Sequence, residues 1–146
     1  MCGRFCCAHS PKEIVDRLYQ DKYCTEDIVV DCQDYTPSYN ISPSSNIPVL
    51  YEKESQRRLQ TMEWGYIPSW AKELPTQKPI NARRDTLEKQ NNYFSSSKDS
   101  RRCIVIAEGF FEWKKQTNGK KQAFYIKRKD GKLMAFAGLY DKSELT

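Results

Sequence analysis

The sequence is poor in the residues that build metal sites. Its 146 residues include a single histidine, His9, and no C-x-x-C pair occurs among its six cysteines. Structural zinc is usually held by closely spaced cysteine and histidine ligands, so the irregular spacing argues against a zinc site. We expect reduced thiols, no metal and no other cofactor. The cysteines are Cys2, Cys6, Cys7, Cys24, Cys32 and Cys103.

Long hydrophobic runs are also missing. No apolar stretch approaches the roughly 20 residues that a membrane-spanning helix needs, and the charged N-terminus is unlike a secretory signal. The composition, 38% hydrophobic and 29% charged, is that of an ordinary soluble globular domain. With neither a repeat nor a linker, we expect one monomeric domain over residues 1–146 and no membrane partner. We expect it to be intracellular, in the cytoplasm of a bacterium or the nucleus of a eukaryote.

Charge is unevenly distributed along the chain. The formal net charge is +5, yet the segment from Trp113 to Lys132 holds eight basic residues and a single acid, Asp130. The segment from Asp21 to Asp34 is acidic instead. A polarised basic surface is compatible with a nucleic-acid partner, although such a run is more often only a solvated face. Charge alone therefore decides nothing.

Local patterns predict a mixed structure in which strands dominate. Ser10-Pro11-Lys12-Glu13 has the form of a capping box with proline at the first helical position, and it predicts a helix that ends near Gln20. A second, short helix is predicted from residue 85 or 86 to residue 90. Strands are predicted at residues 28–30, 47–51, 59–64, 103–107, 123–128 and 133–139. The last two flank Asp130-Gly131, a strong hairpin signal. The fold class is therefore α+β, with a mainly antiparallel curved sheet or open barrel and a few short helices.

Cys2, in the opening Met1-Cys2-Gly3-Arg4, has chemistry that no internal cysteine has once Met1 is removed. It would then carry an α-amine with a pKa of about 8 beside a thiol with a pKa of about 8.5, so a fraction of each is nucleophilic at neutral pH. The amine can condense with an aldehyde to an imine, which the thiol closes into a thiazolidine ring. From its position alone, an exposed cysteine on a frayed terminus is the simpler interpretation.

Four further segments have compositions that are hard to explain by folding alone. Segment 39–43 contains Asn40, which is equally well explained as a turn residue. Segment 64–70 holds two tryptophans, of which the second, Trp70, follows Pro-Ser and is available for stacking on a base.

The other two segments combine charged and polar groups. Segment 80–85 joins Asn81 to two arginines that suit phosphate, although a surface turn is the simpler interpretation. Segment 107–113 places two acids, Glu108 and Glu112, in an aromatic run, where burial would raise a carboxyl pKa towards neutrality. Strand alternation would turn Glu112 away from its aromatic neighbours, so a solvated Glu112 is the competing interpretation.

Taken together and in this order, five segments resemble the SRAP family, the SOS response-associated peptidase-like proteins that process abasic sites in DNA. The resemblance covers essentially the whole chain. Any one segment alone does not identify a family, whereas five segments in the same order along the chain do. They are Met1-Cys2-Gly3-Arg4, Tyr39-Asn40-Ile41-Ser42-Pro43, Trp64-Gly65-Tyr66-Ile67-Pro68-Ser69-Trp70, Ile80-Asn81-Ala82-Arg83 and Glu108-Gly109-Phe110-Phe111-Glu112-Trp113.

The resemblance implies a lyase-like enzyme that crosslinks the N-terminal cysteine to abasic sites in single-stranded DNA and so protects the lesion. Cys2 matches the nucleophile, Asn81 an amide that lines the site, and Glu112 the acid that assists ring opening and proton transfer. The resemblance also implies DNA contacts or pocket positions at Arg4, Asn40, Trp70 and Arg83. It implies no cofactor.

The sequence departs from the family at its C-terminal end. Family members carry a histidine in a segment resembling His-x-Arg-Met-Pro, downstream of the position that matches Gly138, and the sequence stops at Thr146 without it. His9 matches no family position and is expected to be a surface residue before the helix cap. We therefore expect an incomplete domain with exposed sheet edges, and crosslinking that is impaired relative to a full-length homologue.

Two other function classes stay open. A cysteine-dependent peptidase, acting on its own Met1-Cys2 bond, would need a base beside Cys2, and Glu112 would have to supply it. A non-catalytic DNA-binding module, such as a reader of modified cytosine, would bind DNA in a salt-sensitive way that is indifferent to Cys2.

Overall fold

Strands dominate the computed structural model, which describes residues 2–145 and confirms the predicted α+β class. The described residues form two helices and nine strands. In chain order they are β1 Arg4–Cys7, α1 Pro11–Gln20, β2 Ile28–Asp31, β3 Ser38–Ile41, β4 Asn46–Lys53, β5 Gln56–Glu63, α2 Arg84–Leu87, β6 Arg102–Ala107, β7 Gly109–Lys115, β8 Lys121–Lys127 and β9 Met134–Leu139. Neither helix is long and apolar enough to cross a lipid bilayer.

The strands form two open sheets, neither of which closes into a barrel. One sheet has four strands in the order β3-β1-β7-β8, and the other has five in the order β2-β5-β4-β6-β9. All neighbouring strands are antiparallel except β2 and β5, which run parallel. The predicted, mainly antiparallel arrangement is therefore confirmed. It is divided between two sheets instead of forming one.

Aromatic contacts between the two sheets define the core. Phe5 on β1 and Phe110 on β7 contact Phe136 on β9 at ring-centroid distances of 6.1 and 5.8 Å. Helix α1 adds Ile14 and Leu18 to the same buried cluster. The side of the four-stranded sheet that carries Phe5 and Phe110 is thus its inner face, and alternate residues of β1 and β7 lie on its outer face.

Helix α1 begins as its capping box predicts. The backbone N–H of Glu13 donates to the Ser10 hydroxyl at 3.2 Å, and the Glu13 carboxylate accepts from the Ser10 N–H at 2.7 Å. Loss of such a cap costs about 1 kcal/mol of stability. The cap turns the chain directly after β1 and so fixes the exit of the strand that follows Cys2. The second helix, α2, is a single turn and ends earlier than predicted.

The hairpin predicted about Asp130-Gly131 is wrong. β8 pairs with β7 and β9 pairs with β6, so residues 128–132 connect the two sheets. The local turn is nevertheless present, with Gly131 at φ +71° and the Asp130 carboxylate accepting two hydrogen bonds from Arg128. β9 pairs with β6 because this pairing places Phe136 of β9 in the core. The strands predicted at residues 47–51 and 59–64 are present, and as β4 and β5 they form an antiparallel hairpin.

Candidate active site and outer aromatic face

Cys2 lies two residues before the start of β1 and is partly buried against the core. Its thiol donates to the backbone carbonyl of Arg4 at 3.3 Å, and its own carbonyl accepts from the side-chain amide of Asn81 at 3.0 Å. Asn81 lies in the loop before α2, so this contact joins distant parts of the chain. Cys2 therefore sits at a fixed position on the rim of the four-stranded sheet. The predicted removal of Met1 concerns a residue outside the described range.

Glu112 lies on β7, next to the strand that Cys2 precedes. The register pairs Arg4 with Phe111, which places Glu112 opposite the residues just before β1. Burial raises the pKa of the Cys2 thiol, and the negative charge of Glu112 raises it further. Cys2, Asn81 and Glu112, the residues predicted to be catalytic, are thus brought together at one rim of the sheet.

Arg4 and Asn40 form a polar pair beside this rim. The Arg4 guanidinium donates to Asn40 Oδ1 at 3.2 Å, from β1 to the neighbouring β3. Arg4 lies on the outer face because its register partner is Phe111. The structure therefore joins two of the predicted DNA-binding residues directly.

The two tryptophans of segment 64–70 have different environments. Trp64 contacts Phe5 at a ring-centroid distance of 5.3 Å, and its indole N–H donates to the Ile80 carbonyl at 3.0 Å. Trp70 is 57% exposed and packs edge to face on Tyr93 at 5.7 Å. The first tryptophan therefore connects the core to the segment that carries Asn81. The second leaves most of its ring accessible, as stacking on a base would require.

Arg83 is exposed and already holds a carboxylate. Its guanidinium donates to both oxygens of Asp85 at 3.1 and 3.2 Å. This bidentate contact occupies one edge of the guanidinium, so a phosphate would have to compete with Asp85 for it. An open surface depression begins at Asn81 and runs along Arg83 and Arg84.

The outer face of β7 and β8 carries an aromatic group that the sequence prediction missed. Phe111 contacts Tyr125 at 5.0 Å and Trp113 at 6.4 Å, and the last two are 45% and 47% exposed respectively. Register and alternation place four cations on the same face. We call these residues the outer aromatic face: Arg4, Phe111, Trp113, Lys115, Lys121, Tyr125 and Lys127.

A sequence signal for this face exists. Asn118-Gly119 lies between β7 and β8, and Gly119 has φ +79°, the conformation that favours glycine in a tight turn. Reading that dipeptide as the hairpin turn would have paired β7 with β8 and aligned their aromatic residues. The hairpin signal at Asp130-Gly131 instead predicts that residues 123–128 pair with residues 133–139.

The position of the Tyr125 ring explains why residue 109 is a glycine. A Cβ built on Gly109 would lie 2.5 Å from the Tyr125 ring and 2.7 Å from the carbonyl oxygen of Ile126. The ring lies across Gly109 towards Cys6, whose thiol forms a hydrogen bond with the Tyr125 hydroxyl. Gly109 thereby allows one end of the outer aromatic face to lie flat on the sheet.

His9 directly precedes Ser10, the N-cap of α1, as predicted, and it lies only partly at the surface. Its side chain is 25% exposed, and its Nε2 lies 3.3 Å from Oε1 of Glu108. Glu108 also accepts from the Cys6 thiol at 3.6 Å and from the backbone N–H of Ala8. These contacts lie at the end of β1 remote from Cys2, so the single histidine interacts with a different carboxylate from the one beside the predicted nucleophile.

All six cysteines are free thiols, five of them buried and Cys2 partly exposed. Within residues 2–145, no group of three or more histidine, cysteine, aspartate or glutamate side chains is placed to hold a metal ion. Among the thiols, Cys2 is therefore the one that a reagent in solution can reach.

The chain is similar to several known proteins. Residues 1–145 match the family model described as SOS response associated peptidase (SRAP). The chain is 40% identical over 143 residues to abasic site processing protein YoqW of Bacillus subtilis, covering 97% of this chain and 61% of that protein. It is 37% identical to abasic site processing protein HMCES of Mus musculus, covering 86% of this chain and 40% of that protein.

Solved structures show the same fold. A protein from Bacteroides thetaiotaomicron aligns with a TM-score of 0.73 at 24% identity, covering 97% of this chain and 61% of that one. A phage-related protein from Bordetella bronchiseptica aligns with a TM-score of 0.69 at 25% identity, covering 94% of this chain and 60% of that one. The chain thus spans about three fifths of the length of the bacterial proteins that it matches.

Proposed function

Because the chain belongs to the SOS response associated peptidase (SRAP) family, we propose that it recognises abasic sites in single-stranded DNA and forms a covalent crosslink to them through Cys2. The observation that carries the proposal is the position of Cys2, held by Asn81 at the sheet rim within the electrostatic reach of Glu112. The names of the relatives, abasic site processing proteins, support the same substrate.

The reaction starts at the α-amine of Cys2, which becomes available when Met1 is removed. An abasic deoxyribose is in part a ring-opened aldehyde, and without a base it can be approached with no flipping step. The amine lone pair adds to the C1 carbon, and loss of one water gives an imine. In this step the Glu112 carboxylate accepts the proton that leaves the nitrogen and then donates it to the departing oxygen.

The thiol closes the ring in a second step. A C–S bond forms at the imine carbon while the thiol proton moves to the imine nitrogen, which gives a thiazolidine. Overall, one aldehyde and one aminothiol yield a thiazolidine and one water, with no oxidation or reduction. The raised pKa of Cys2 keeps its thiol protonated at neutral pH, which favours first attack by the amine.

The aromatic residues favour an unpaired strand. Trp70 and Trp113 are 57% and 47% exposed, and such rings stack on bases that are not already stacked in a duplex. Arg4 and Arg83 supply guanidinium groups for phosphates, and Asn40 orients Arg4. The proposed complex therefore weakens as salt rises.

Intact-mass spectrometry tests the proposal. Protein without Met1 is incubated with a single-stranded oligonucleotide that carries one abasic site, and we expect a mass increase of one oligonucleotide minus one water. An oligonucleotide without the lesion is the control for non-covalent carry-over. An unchanged mass for the wild type, or a full-yield adduct for Cys2→Ala, would overturn the proposal.

Cys2→Ser is the matched control variant. It keeps the α-amine and replaces the thiol by a hydroxyl, so it should form an imine that is captured by borohydride reduction and lost without it. A stable adduct of Cys2→Ser in the absence of borohydride would show that the thiol does not close the ring.

A second candidate function, a DNA-binding module that needs no covalent step, is favoured by the outer aromatic face. Its cations surround exposed rings on a surface that does not involve Cys2. In this case Cys2→Ala would bind single-stranded DNA as tightly as the wild type, whereas Lys121→Gln would weaken binding and lower the salt slope by about one. Lys12→Gln, on α1, is the control with the same charge change.

A peptidase reaction confined to the Met1-Cys2 bond is a further activity that can be tested on the same residues. Glu112 would serve as its base, because His9 interacts with Glu108 at the other end of β1. If the wild type made in a cell-free system without aminopeptidase loses Met1 while Glu112→Gln retains it, the chain removes its own methionine. Removal of Met1 only after aminopeptidase is added would assign the step to the host.

A further inference from the structure

The side chain of Asp141, two residues after the end of β9, has no solvent-exposed surface. Its carboxylate accepts hydrogen bonds from five donors, which is enough to satisfy both oxygens of a buried carboxylate. They are the Ser69 N–H at 2.9 Å, the Tyr66 hydroxyl at 3.2 Å, the Ser96 hydroxyl at 2.9 Å, the Lys142 N–H at 2.8 Å and the Arg101 guanidinium.

Three of the donors, Tyr66, Ser69 and Ser96, belong to the two loops that carry the Trp70–Tyr93 pair. Ser69 directly precedes Trp70, and Ser96 lies in the loop of residues 91–100 that also carries Tyr93. The carboxylate of Asp141 therefore joins both loops to the end of β9. Trp70 itself is 57% exposed and contacts Tyr93 through one ring edge, so the loop beneath it fixes its position.

We propose that Asp141 is a positioning residue for DNA binding, which holds the Trp70–Tyr93 pair as a preformed surface for an unpaired base. The inference rests on the proposed function. A ring that is already fixed loses less conformational freedom when a base stacks on it, so preorganisation raises affinity without a new contact. Asp141 lies behind the pair and acts through Ser69 and Ser96.

An alternative role, in which Asp141 only stabilises the fold, makes a different prediction. A purely structural residue would change affinity equally with or without the Trp70 ring. A positioning residue loses its effect when Trp70 is removed, because it has nothing left to position. A double-mutant cycle on affinity separates the two roles.

The experiment uses the full chain and a single-stranded oligonucleotide without a lesion, with the dissociation constant measured by fluorescence anisotropy. We expect Asp141→Asn to raise that constant at least fivefold, Trp70→Ala to raise it by at least as much, and the double variant to match Trp70→Ala. The crosslinking rate at saturating abasic oligonucleotide should stay within twofold of wild type in Asp141→Asn, because Cys2 and its neighbours are unchanged.

A milder pair of variants covers the case in which Asp141→Asn does not fold. Ser96→Ala removes one donor to Asp141, whereas Ser95→Ala, in the same loop, removes a hydroxyl that donates to the Asn92 carbonyl. Only the first should raise the dissociation constant and speed amide hydrogen exchange in residues 66–70.

The outcomes separate this inference from the proposed function. Weaker binding by Trp70→Ala together with unchanged binding by Asp141→Asn and Ser96→Ala would overturn the positioning role alone. Additive effects of Asp141→Asn and Trp70→Ala would also overturn it, in favour of a structural role. Wild-type protein that neither binds single-stranded DNA nor forms an adduct would overturn the proposed function, and the inference with it.

Discussion

At the scale of single residues, the charge of Glu112 acts on the thiol of Cys2. Burial and this charge both raise the pKa of Cys2, so removing the charge must lower it. We therefore expect Glu112→Gln to shift the pH dependence of Cys2 alkylation by iodoacetamide to lower pH and to speed alkylation at pH 7.5. Glu108→Gln, at the other end of β1, is the control. An unshifted profile for Glu112→Gln would contradict the coupling.

Asn81 provides a second prediction at this scale. Its amide donates one hydrogen bond to the Cys2 carbonyl, and a bond of this kind contributes about 1 kcal/mol, which corresponds to a change of about fivefold. We expect Asn81→Ala to slow crosslinking at saturating DNA by about fivefold or more without lowering the melting temperature. The control is Asn46→Ala, which removes a similar bond to the Asp34 carbonyl. Equal rates for the two variants would refute the role of Asn81.

The residues proposed for the site stand out in the sequence because their chemistry is unusual for their surroundings. An N-terminal cysteine and an acid within an aromatic run both attract attention in the sequence, as Cys2 and Glu112 did. The environment of His9 could not be predicted in this way. Its partner Glu108 is 99 positions away (108 − 9) and approaches only because β1 and β7 pair.

At the scale of elements, the β7–β8 hairpin carries the outer aromatic face and depends on Gly109. An added methyl group would overlap the Tyr125 ring and the Ile126 carbonyl, so we expect Gly109→Ala to lower the free energy of unfolding by about 2 kcal/mol. Urea denaturation measures the change. Gly3→Ala is the matched control, because a Cβ at Gly3 would meet no atom within 4 Å. Equal stabilities of the two variants would contradict the packing of Tyr125 on Gly109.

The elements also show why a strong turn signal can mislead. Asp130-Gly131 and Asn118-Gly119 are both hairpin dipeptides, yet only the second joins two strands of one sheet. A turn sequence sets local backbone angles, whereas the choice of strand partner depends on which side chains reach the core. The apolar side chains of β9 reach the core only when this strand pairs with β6.

At the scale of the whole molecule, Asp141 couples stability to pH. Burial by itself raises its pKa, but hydrogen bonds from Ser69, Lys142 and Ser96 and the charge of Arg101 outweigh that effect and lower the pKa below its ordinary value. A lowered pKa means that the folded state binds its proton more weakly than the unfolded state. The stabilisation is thus fully present above the ordinary aspartate pKa of about 3.9 and is lost as pH falls through the lower folded value.

We therefore expect the free energy of unfolding to decrease below about pH 4, and to decrease less steeply in Asp141→Asn, which has no proton to gain. Urea denaturation between pH 7 and pH 3 measures both curves. Parallel curves for wild type and Asp141→Asn would show that another carboxylate controls the acid limit. The donors Tyr66, Ser69 and Ser96 come from two loops with no shared sequence pattern, so this link could not be predicted from the sequence.

The distribution of thiols gives the molecule a redox character of its own. Burial raises the pKa of Cys7 to about 11 and that of Cys103 to about 12, which leaves both as inert thiols, whereas Cys2 is partly exposed. Towards peroxide or glutathione disulfide, a protein with six cysteines thus behaves as one with a single cysteine. Oxidative stress, which also creates DNA lesions, would modify Cys2 first, so the crosslinking proposed above would depend on how quickly that thiol is reduced again.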